Sequence, residues 1–281
     1  GTVKLEILEP IDVYHSKTNP KPGQTKVRFN VYKSTGPEEY AIVGTAPGKD
    51  ILVNKTLTRE KLPHLPIGEK PKLKEKTYSA VDVNNSSEVL MPKLDGAHTL
   101  LDLNKAGKIP RLFSYREPKR HAAGVIEQTH KVKGLLNLRV PKELEGTLLR
   151  AETIAVNSKG KAIPAKDIAG MLNATVGASR AKQEEMKASL QTIAFDIERY
   201  KGKSVSDLPF KDRYALLEKI HAATQIPITE IATTAKEKQT LLDRIVSGKH
   251  PLTTEGVVLR PLNTTGVATK AKLRPDHDVY V

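Results

Sequence analysis

Beyond residue 78 the chain mixes strand-like runs and helical segments in an irregular order, and this order most constrains the fold. Apolar runs with strand character are predicted at 96–103, 149–156, 192–197 and 256–260. Helices are predicted over 165–173, 179–190, 210–222 and 234–247. Because the strands are not joined by regular crossover helices, the order predicts an α+β domain.

Residues 1–62 are predicted to form a small β-rich accessory unit, because apolar and polar side chains alternate from Lys26 to Lys33 as in a half-buried strand. Residues 63–77 contain three prolines and show no apolar periodicity. Such a composition predicts a linker or an extended segment on the surface. The remaining residues, 78–281, are expected to form the main domain.

The net charge of the chain is +14, from 46 lysines and arginines against 32 acidic residues. Residues 103–142 alone hold ten bases against two glutamates, so the excess is concentrated there. This charge favours a polyanionic partner, although a basic run is also typical of an ordinary solvated face. The chain has no cysteine, which excludes disulfides, thiolate zinc sites and cysteine nucleophiles. No apolar run approaches the length of a membrane-spanning helix, so we expect no membrane partner.

One lysine stands between a predicted strand and a glycine turn, in Lys93-Leu94-Asp95-Gly96. Alone, this tetrapeptide is as typical of a surface turn as of a nucleophile. Five motifs follow it in order: Ser114-Tyr115-Arg116, Leu149-Arg150-Ala151-Glu152, Ala194-Phe195-Asp196-Ile197, Glu255-Gly256-Val257-Val258-Leu259-Arg260 and Lys270-Ala271-Lys272. The ordered series resembles the motifs of the ATP-dependent polynucleotide ligases, within the covalent nucleotidyltransferase superfamily. The continuation over 195–220 is similar to the adenylation domain of DNA ligases in particular.

This resemblance, which covers 86–281, implies an α+β nucleotidyltransferase core, ATP-grasp-like, with antiparallel sheets flanked by helices. It implies the catalytic core of an ATP-dependent DNA ligase, which forms a lysyl-AMP intermediate and seals nicks through a 5′-adenylated end. ATP and magnesium are the implied cofactors, nicked duplex DNA is the implied partner, and DNA repair and replication are the implied processes. We expect an intracellular monomer, in the cytoplasm of a prokaryote or of a virus-infected cell, or in a nucleus.

Four basic residues take catalytic roles in this resemblance. Lys93 matches the nucleophile that attacks the α-phosphate of ATP, and Arg116 matches an arginine near the phosphate and ribose. Lys270 and Lys272 match the pair that grips the α-phosphate. Their alternation places both side chains on one face of a short run, which is also typical of a plain basic edge strand.

Three further residues are implied to bind the nucleotide or its metal. Glu152 matches the acid that holds the ribose hydroxyls, and Phe195 matches the aromatic that stacks on adenine. Glu255 matches the acid associated with the catalytic magnesium, which prefers oxygen ligands. Without the resemblance, these side chains are equally typical of an exposed strand charge, a core aromatic and a turn residue.

The chain departs from the family pattern at three places. His98 stands where the family has an arginine, and a mostly neutral imidazole lacks the fork and the permanent charge. Met91 stands where DNA ligases often have a glutamate facing the adenine amine. The family also continues into an OB-fold domain after Lys272, which we expect to be missing from this chain, either removed or supplied elsewhere.

These departures leave alternative functions open. An RNA ligase and an mRNA capping guanylyltransferase share the lysine motif, and a non-catalytic DNA-binding relative would keep only the fold and the basic face. For residues 1–62 we expect an extended DNA contact through Lys26, Arg28 and Lys33, or else a solvated sheet face.

Overall fold

The computed structural model of the chain describes residues 5–14, 26–34, 41–46, 49–52, 56–58, 62, 64–68, 72–115 and 124–273. Its strands are β1 (Leu5–Tyr14), β2 (Lys26–Ser34), β3 (Ala41–Ala46), β4 (Lys49–Leu52), β5 (Thr56–Thr58), β6 (Lys74–Thr77), β7 (Glu88–Pro92), β8 (Ala97–Leu103), β9 (Arg111–Ser114), β10 (Gly124–Ile126), β11 (Thr147–Asn157), β12 (Ala188–Tyr200), β13 (Lys203–Ser204), β14 (Gly256–Pro261) and β15 (Thr269–Lys272). Its helices are α1 (Lys133–Leu136), α2 (Ala165–Leu172), α3 (Val176–Glu185), α4 (Phe210–Thr224) and α5 (Ala235–Val246).

Two sheets form the framework of the main domain. The larger has five antiparallel strands in the order β13-β12-β11-β8-β9, and the smaller has four strands in the order β6-β15-β14-β7. The smaller sheet is antiparallel except where β6 runs parallel to β15. Antiparallel sheets with helices packed against them confirm the predicted α+β class.

The long strands and three of the predicted helices lie where the apolar pattern placed them. The predicted strands correspond to β8, β11, β12 and β14, and the matching helices are α2, α4 and α5. Helix α4 buries Phe210, Tyr214, Leu217 and Ile220, which recur at helical spacing. Helix α5 begins with a capping box, in which the Thr234 side chain and the third helical residue satisfy each other's backbone N–H groups.

The helix predicted over 179–190 is wrong at its C-terminal end. Helix α3 stops at Glu185, Lys187 adopts a φ of 49°, and β12 begins at Ala188. Buried and exposed side chains then alternate from Ala188 to Thr192, which is the period of a strand rather than of a helix. The backbone N–H of Leu190 donates to the side chain of Gln183 and so anchors the new strand to the helix.

The first four strands pair antiparallel in chain order, β1-β2-β3-β4, so the strand predicted over 26–33 is present as β2. The expected DNA contact of Lys26, Arg28 and Lys33 lies outside what the structure describes. Strand β5 pairs with β10 of the main domain. The division of the chain at residue 62 stays a prediction.

The segment 63–77, predicted as a linker or an extended segment, contains both packed and extended residues. Leu65 and Ile67 are each only 3% exposed and pack with Phe113 and Tyr115 in a small apolar cluster on the larger sheet. Farther along, β6 joins the smaller sheet. The sequence did not predict this packing, because two buried side chains are too few to show a period. The prolines in the same segment are typical of a linker.

The main apolar core lies between the larger sheet and helices α2 to α4. A second cluster fills the space between α5 and the smaller sheet, with Leu90, Leu241, Ile245 and Val257 at its centre. Both cores support the edge where the two sheets meet. Among the residues described, no helix has the length and apolar character needed to cross a membrane.

Candidate active site

A lysine and a glutamate from the smaller sheet meet directly after β7. The backbone N–H of Lys93 donates to the carbonyl of Gly256 at 2.9 Å, and the Thr253 hydroxyl donates to the Lys93 carbonyl at 2.5 Å. These bonds fix the backbone on both sides of the lysine. Its Nζ lies 2.7 Å from Oε1 of Glu255, and both side chains are about one-fifth exposed. The predicted nucleophile therefore stands beside a carboxylate in a partly buried position.

The same carboxylate oxygen contacts a second lysine. Nζ of Lys272 lies 3.6 Å from Oε1 of Glu255, because β14 and β15 place Gly256 and Lys272 opposite each other. The other oxygen of Glu255, Oε2, is buried and has no hydrogen-bond partner among the residues described. One carboxylate thus bridges two ammonium groups and keeps an acceptor oxygen available.

Two glycines allow the chains at this site to approach closely. Gly256 has a φ of 149°, and a Cβ there would lie 2.1 Å from the carbonyl oxygen of Ala271. A Cβ on Gly96 would lie 2.3 Å from the carbonyl oxygen of Thr153. Only glycine fits at either position, since no real Cβ contact is that short. The backbone N–H of Gly96 also donates to Oε1 of Glu152 at 3.1 Å, which brings the predicted ribose ligand to the lysine turn.

Lys270 has a different partner from Lys272. Its Nζ lies 3.1 Å from Oε2 of Glu75, which stands opposite it in the parallel pairing of β15 with β6. Lys270 and Lys272 alternate with the buried Ala271, so they share one face as predicted. The two predicted phosphate-binding lysines are therefore held by two separate carboxylates.

Three rings from the larger sheet lie together beside this cluster. The rings of His98 and Tyr115 are parallel within 9°, with centroids 4.3 Å apart. The ring of Phe195 is tilted against His98 at 5.4 Å. His98 stands opposite Glu152 in the pairing of β8 with β11, so the ring cluster and the predicted ribose ligand share this part of the sheet.

A β-bulge in β12 sets the direction of the Phe195 side chain, the aromatic that is predicted to stack on adenine. Arg150 pairs with Asp196 and Ala151 pairs with Ala194, so Phe195 is an extra residue in β12 without a counterpart in β11. Such a bulge turns a side chain out of the regular alternation, and bulges are common beside active sites. The half-buried position of Phe195 follows from this irregularity rather than from strand periodicity.

Two arginines hold the residue after the bulge. Asp196 accepts from Nε of Arg213 at 2.8 Å and from a terminal N–H of Arg260 at 2.5 Å. Burial alone would raise the pKa of Asp196, but the charges and hydrogen bonds of Arg260 and Arg213 outweigh it and lower the pKa. The guanidinium of Arg260 also lies 5.6 Å from the centroid of the Phe195 ring.

Six of the seven predicted site residues are described, and they lie around the meeting edge of the two sheets. Arg116, the seventh, lies outside the described residues. Three contributors had no role assigned from sequence, namely Tyr115, Arg260 and Thr253. Tyr115 and Arg260 stand inside the quoted motifs, so their positions in those motifs were the available signal. Met91 is buried in the core at 3% exposure.

Comparisons with known proteins match most of the chain to one family. The family model described as "ATP dependent DNA ligase domain" matches residues 72–269. A "Probable DNA ligase" of Saccharopolyspora erythraea is 25% identical over 192 residues, covering 66% of this chain and 33% of that protein. The chain therefore spans about a third of the length of that relative.

Solved structures with a similar fold include mycobacterial DNA ligase D complexed with ATP and MES, at 18% identity and a TM-score of 0.44, covering 71% of this chain and 60% of that one. The ligase domain of M. tuberculosis LigD has the same identity, TM-score and share of this chain, with 58% of its own length covered. The resemblance predicted from the ordered motifs is confirmed by the family model, which spans more than half of the chain. This chain belongs to the family of ATP dependent DNA ligase domains.

Proposed function

We propose that this chain carries out lysine adenylation, the first step of an ATP-dependent DNA ligase, with Lys93 as the nucleophile. The observation that carries the proposal is the short contact between Lys93 and Glu255, with Lys272 on the same carboxylate oxygen. An amine must be neutral to attack phosphorus, and Oε1 of Glu255 lies within proton-transfer distance at 2.7 Å. Attack forms the N–P bond of lysyl-AMP and breaks the bond to pyrophosphate.

The cations around Lys93 suit the charge that develops on the phosphate. Lys272 and Lys270 lie on the face of β15 next to the nucleophile, and each lysine would exchange its carboxylate partner for phosphate oxygens. Phosphoryl transfer depends mainly on positioning and on this kind of charge stabilisation. Glu152, whose Oε1 accepts from the backbone N–H of Gly96, would also accept from the ribose hydroxyls, and Phe195 would stack on adenine.

Magnesium fits this set of donors at Glu255. Oε2 of Glu255 is buried and unpaired among the described residues, and carboxylate oxygen is a ligand that magnesium prefers. The described residues contain no group of three or more His, Cys, Asp or Glu side chains that could hold a metal ion. Substrate phosphate oxygens would therefore supply most other ligands, as is usual for magnesium. When bound, the ion would neutralise phosphate charge during the displacement.

The complete reaction would transfer the AMP to the 5′-phosphate of a nick and seal the strand by attack of the neighbouring 3′-hydroxyl. The basic segment 103–142 would hold the duplex by its phosphates without reading its sequence. An additional contact from the β1-β2-β3-β4 sheet belongs to the same proposal.

The test is covalent labelling with α-labelled ATP and magnesium, followed by denaturing electrophoresis. The wild-type chain should retain label, Lys93→Ala should retain none, and the control Lys159→Ala, at an exposed turn far from the site, should label normally. A second arm joins the chain to an OB-fold domain. Absence of an adduct with ATP in both arms would refute the proposal.

The same preparation separates the alternatives left open by His98 and Met91. Preferential labelling by GTP would indicate a guanylyltransferase, and sealing of nicked RNA but not nicked DNA would indicate an RNA ligase. Salt-dependent binding to duplex DNA with no adduct would indicate a non-catalytic relative. We expect ATP labelling and sealing of nicked DNA.

A further inference from the structure

Five flat side chains form a row of contacts, four of them on or next to strands of the larger sheet and the fifth, Arg260, on β14 of the smaller sheet. The guanidinium of Arg150 lies 5.0 Å from the centroid of the Tyr115 ring, which stacks on His98 at 4.3 Å. Phe195 follows at 5.4 Å from His98, and the guanidinium of Arg260 follows at 5.6 Å from Phe195. The row therefore has an arginine at each end and three rings between them. We call it the planar row.

Both ends of the planar row are anchored by carboxylates. Arg150 forms an ion pair with Glu198. Arg260 pairs with the buried Asp196. These ion pairs fix the two guanidiniums, so the rings between them have little freedom to slide. The row is consequently a rigid support rather than a loose apolar patch.

The ring that needs this support is Phe195. Its position in the bulge removes the ordinary constraint of strand alternation, so the orientation of its side chain depends on what packs beside it. The Phe195 ring contacts the tilted ring of His98 and the guanidinium of Arg260. His98 is in turn held by its parallel stack on Tyr115. An imidazole at position 98 thus acts as a spacer between a fixed tyrosine and the bulged phenylalanine.

We propose that His98 is a positioning residue for nucleobase binding, and that it orients Phe195 by ring packing rather than by charge or hydrogen bonding to the nucleotide. The proposal rests on the function proposed above, in which Phe195 stacks on the base. It gives the imidazole at position 98 a role in packing, between the parallel ring of Tyr115 and the tilted ring of Phe195. The ligand class is a purine nucleotide, and His98 does not need to touch it.

The test measures ATP binding by calorimetry without magnesium, so that no covalent step is needed. His98→Ala removes the spacer and should weaken ATP binding by about tenfold. His98→Phe keeps a planar ring of similar size and should restore binding to within about twofold of wild type. The control His221→Ala truncates a histidine of α4, which bonds the Ile226 carbonyl away from the planar row, and should leave ATP binding unchanged.

Two further measurements exclude a charge role and a folding artefact. Between about pH 6 and about pH 8, where an ordinary imidazole titrates, wild type and His98→Phe should show the same pH dependence of ATP binding. Thermal melting of each variant checks that it is folded. If His98→Phe binds ATP as weakly as His98→Ala, or if His98→Ala binds ATP as wild type does, the proposal is overturned.

The result is distinguishable from failure of the proposed function. A chain that binds ATP with the expected variant pattern, but never labels Lys93, would refute lysine adenylation and leave the role of His98 intact. A chain that labels normally while His98→Ala binds ATP like wild type would refute the role of His98 alone.

Discussion

The β6-β15-β14-β7 sheet brings charges to the candidate site, whereas the five-stranded sheet brings rings. On the smaller sheet, Lys93 and Lys272 share one carboxylate and Lys270 has another. On the larger sheet, parallel and tilted rings are fixed by packing. The difference predicts that removal of the Glu255 charge on the smaller sheet alters the chemical step and that changes to the rings of the larger sheet alter nucleotide binding.

We call the lysines and carboxylates of the smaller sheet the charged half of the site, and the rings of the larger sheet the ring half. The two halves also depend on different parts of the chain. The charged half is held by residues within its own motifs and by a neighbouring strand. The ring half depends on a distant segment, because Tyr115 packs against Leu65 and Ile67 and its carbonyl accepts from the backbone N–H of Gly68 at 3.1 Å. Contacts between residues far apart in the sequence therefore maintain both halves, since Thr253, which bonds the Lys93 carbonyl, lies 160 residues from it, and residues 65–68 pack on Tyr115.

Removal of the charge on Glu255 should have the largest effect. Glu255→Gln keeps the shape of the side chain but removes the negative charge between two lysines, and with it the proposed proton acceptor for Lys93 and the proposed magnesium ligand. We expect the rate of lysine adenylation to fall by about a thousandfold, the upper range for loss of one electrostatic group. Single-turnover labelling at saturating ATP measures it. A fall of less than about tenfold would contradict the assignment of Glu255.

Truncation of the packed segment should act on the ring half. Ile67→Ala removes a side chain that is 3% exposed and should reduce the free energy of unfolding by about 3 kcal/mol. It should also weaken ATP binding, because Tyr115 loses its support, while the adenylation rate at saturating ATP changes little. Chemical denaturation and calorimetry provide the two measurements.

The matched control for that variant is Val246→Ala, which truncates an apolar side chain that is 57% exposed at the end of α5. Its free energy of unfolding should stay within about 0.5 kcal/mol of wild type. Equal destabilisation by the two truncations would show that the segment is not part of the core. An unchanged ATP affinity in a destabilised Ile67→Ala variant would show that the segment around Ile67 does not support the rings.

The charged half and the ring half also differ in how far they could be predicted from the sequence. The residues of the charged half were identified in advance because each belongs to a short motif in a fixed order, and backbone pairing then brings the motifs together. Lys93, Glu255 and Lys272 needed only the register of β14 with its two neighbours. Their shared contact follows from the pairing of β7 with β14, which are far apart in the sequence, so the motifs identify the residues and the strand pairing supplies the contact.

The ring half was predictable only in part. Phe195 was identified from its motif, but the bulge that aims it depends on the register of two long strands, which no local pattern encodes. Tyr115 had no assigned role because its stack on His98 requires β8 and β9 to pair. The support from Leu65 and Ile67 was missed because a proline-rich stretch with two apolar residues resembles a linker.

Lys131, a buried lysine outside the candidate site, contacts a carbonyl oxygen, whereas the lysines of the site contact carboxylates. Lys131 is fully buried, and its Nζ donates to the carbonyl of Leu172 at 2.5 Å rather than to a carboxylate. Burial lowers the pKa of Lys131 to about 8, below the unfolded value of about 10.4. Below pH 8 the folded state bears the cost of a buried ammonium group. As the pH rises from about 8 to about 10.4, the unfolded state holds more protons, so stability rises.

The expected result is a pH-dependent difference between wild type and Lys131→Met. The methionine variant lacks this titration, so its stability relative to wild type should fall by about 3 kcal/mol between about pH 7 and about pH 11. Tyr78 and Tyr214, whose pKa values burial raises to about 12, titrate in both proteins and cancel in the difference. Chemical denaturation across this pH range measures the difference. A difference independent of pH would show that Lys131 is neutral in both states or charged in both.

The smallest effect is expected at Glu75, one of the two carboxylates that contact the lysines of β15. Glu75 is mostly exposed, so its ion pair with Lys270 contributes little and is screened by salt. Its negative charge nonetheless competes with phosphate for Lys270. Glu75→Gln should strengthen ATP binding by about two- to threefold at low salt, and the gain should vanish as ionic strength rises, as calorimetry at the two salt concentrations would show. Removal of the negative charge should therefore slow lysine adenylation at Glu255 and strengthen ATP binding at Glu75. If Glu75→Gln instead weakens ATP binding, Glu75 holds Lys270 in its binding geometry, and both carboxylates of the smaller sheet position lysines.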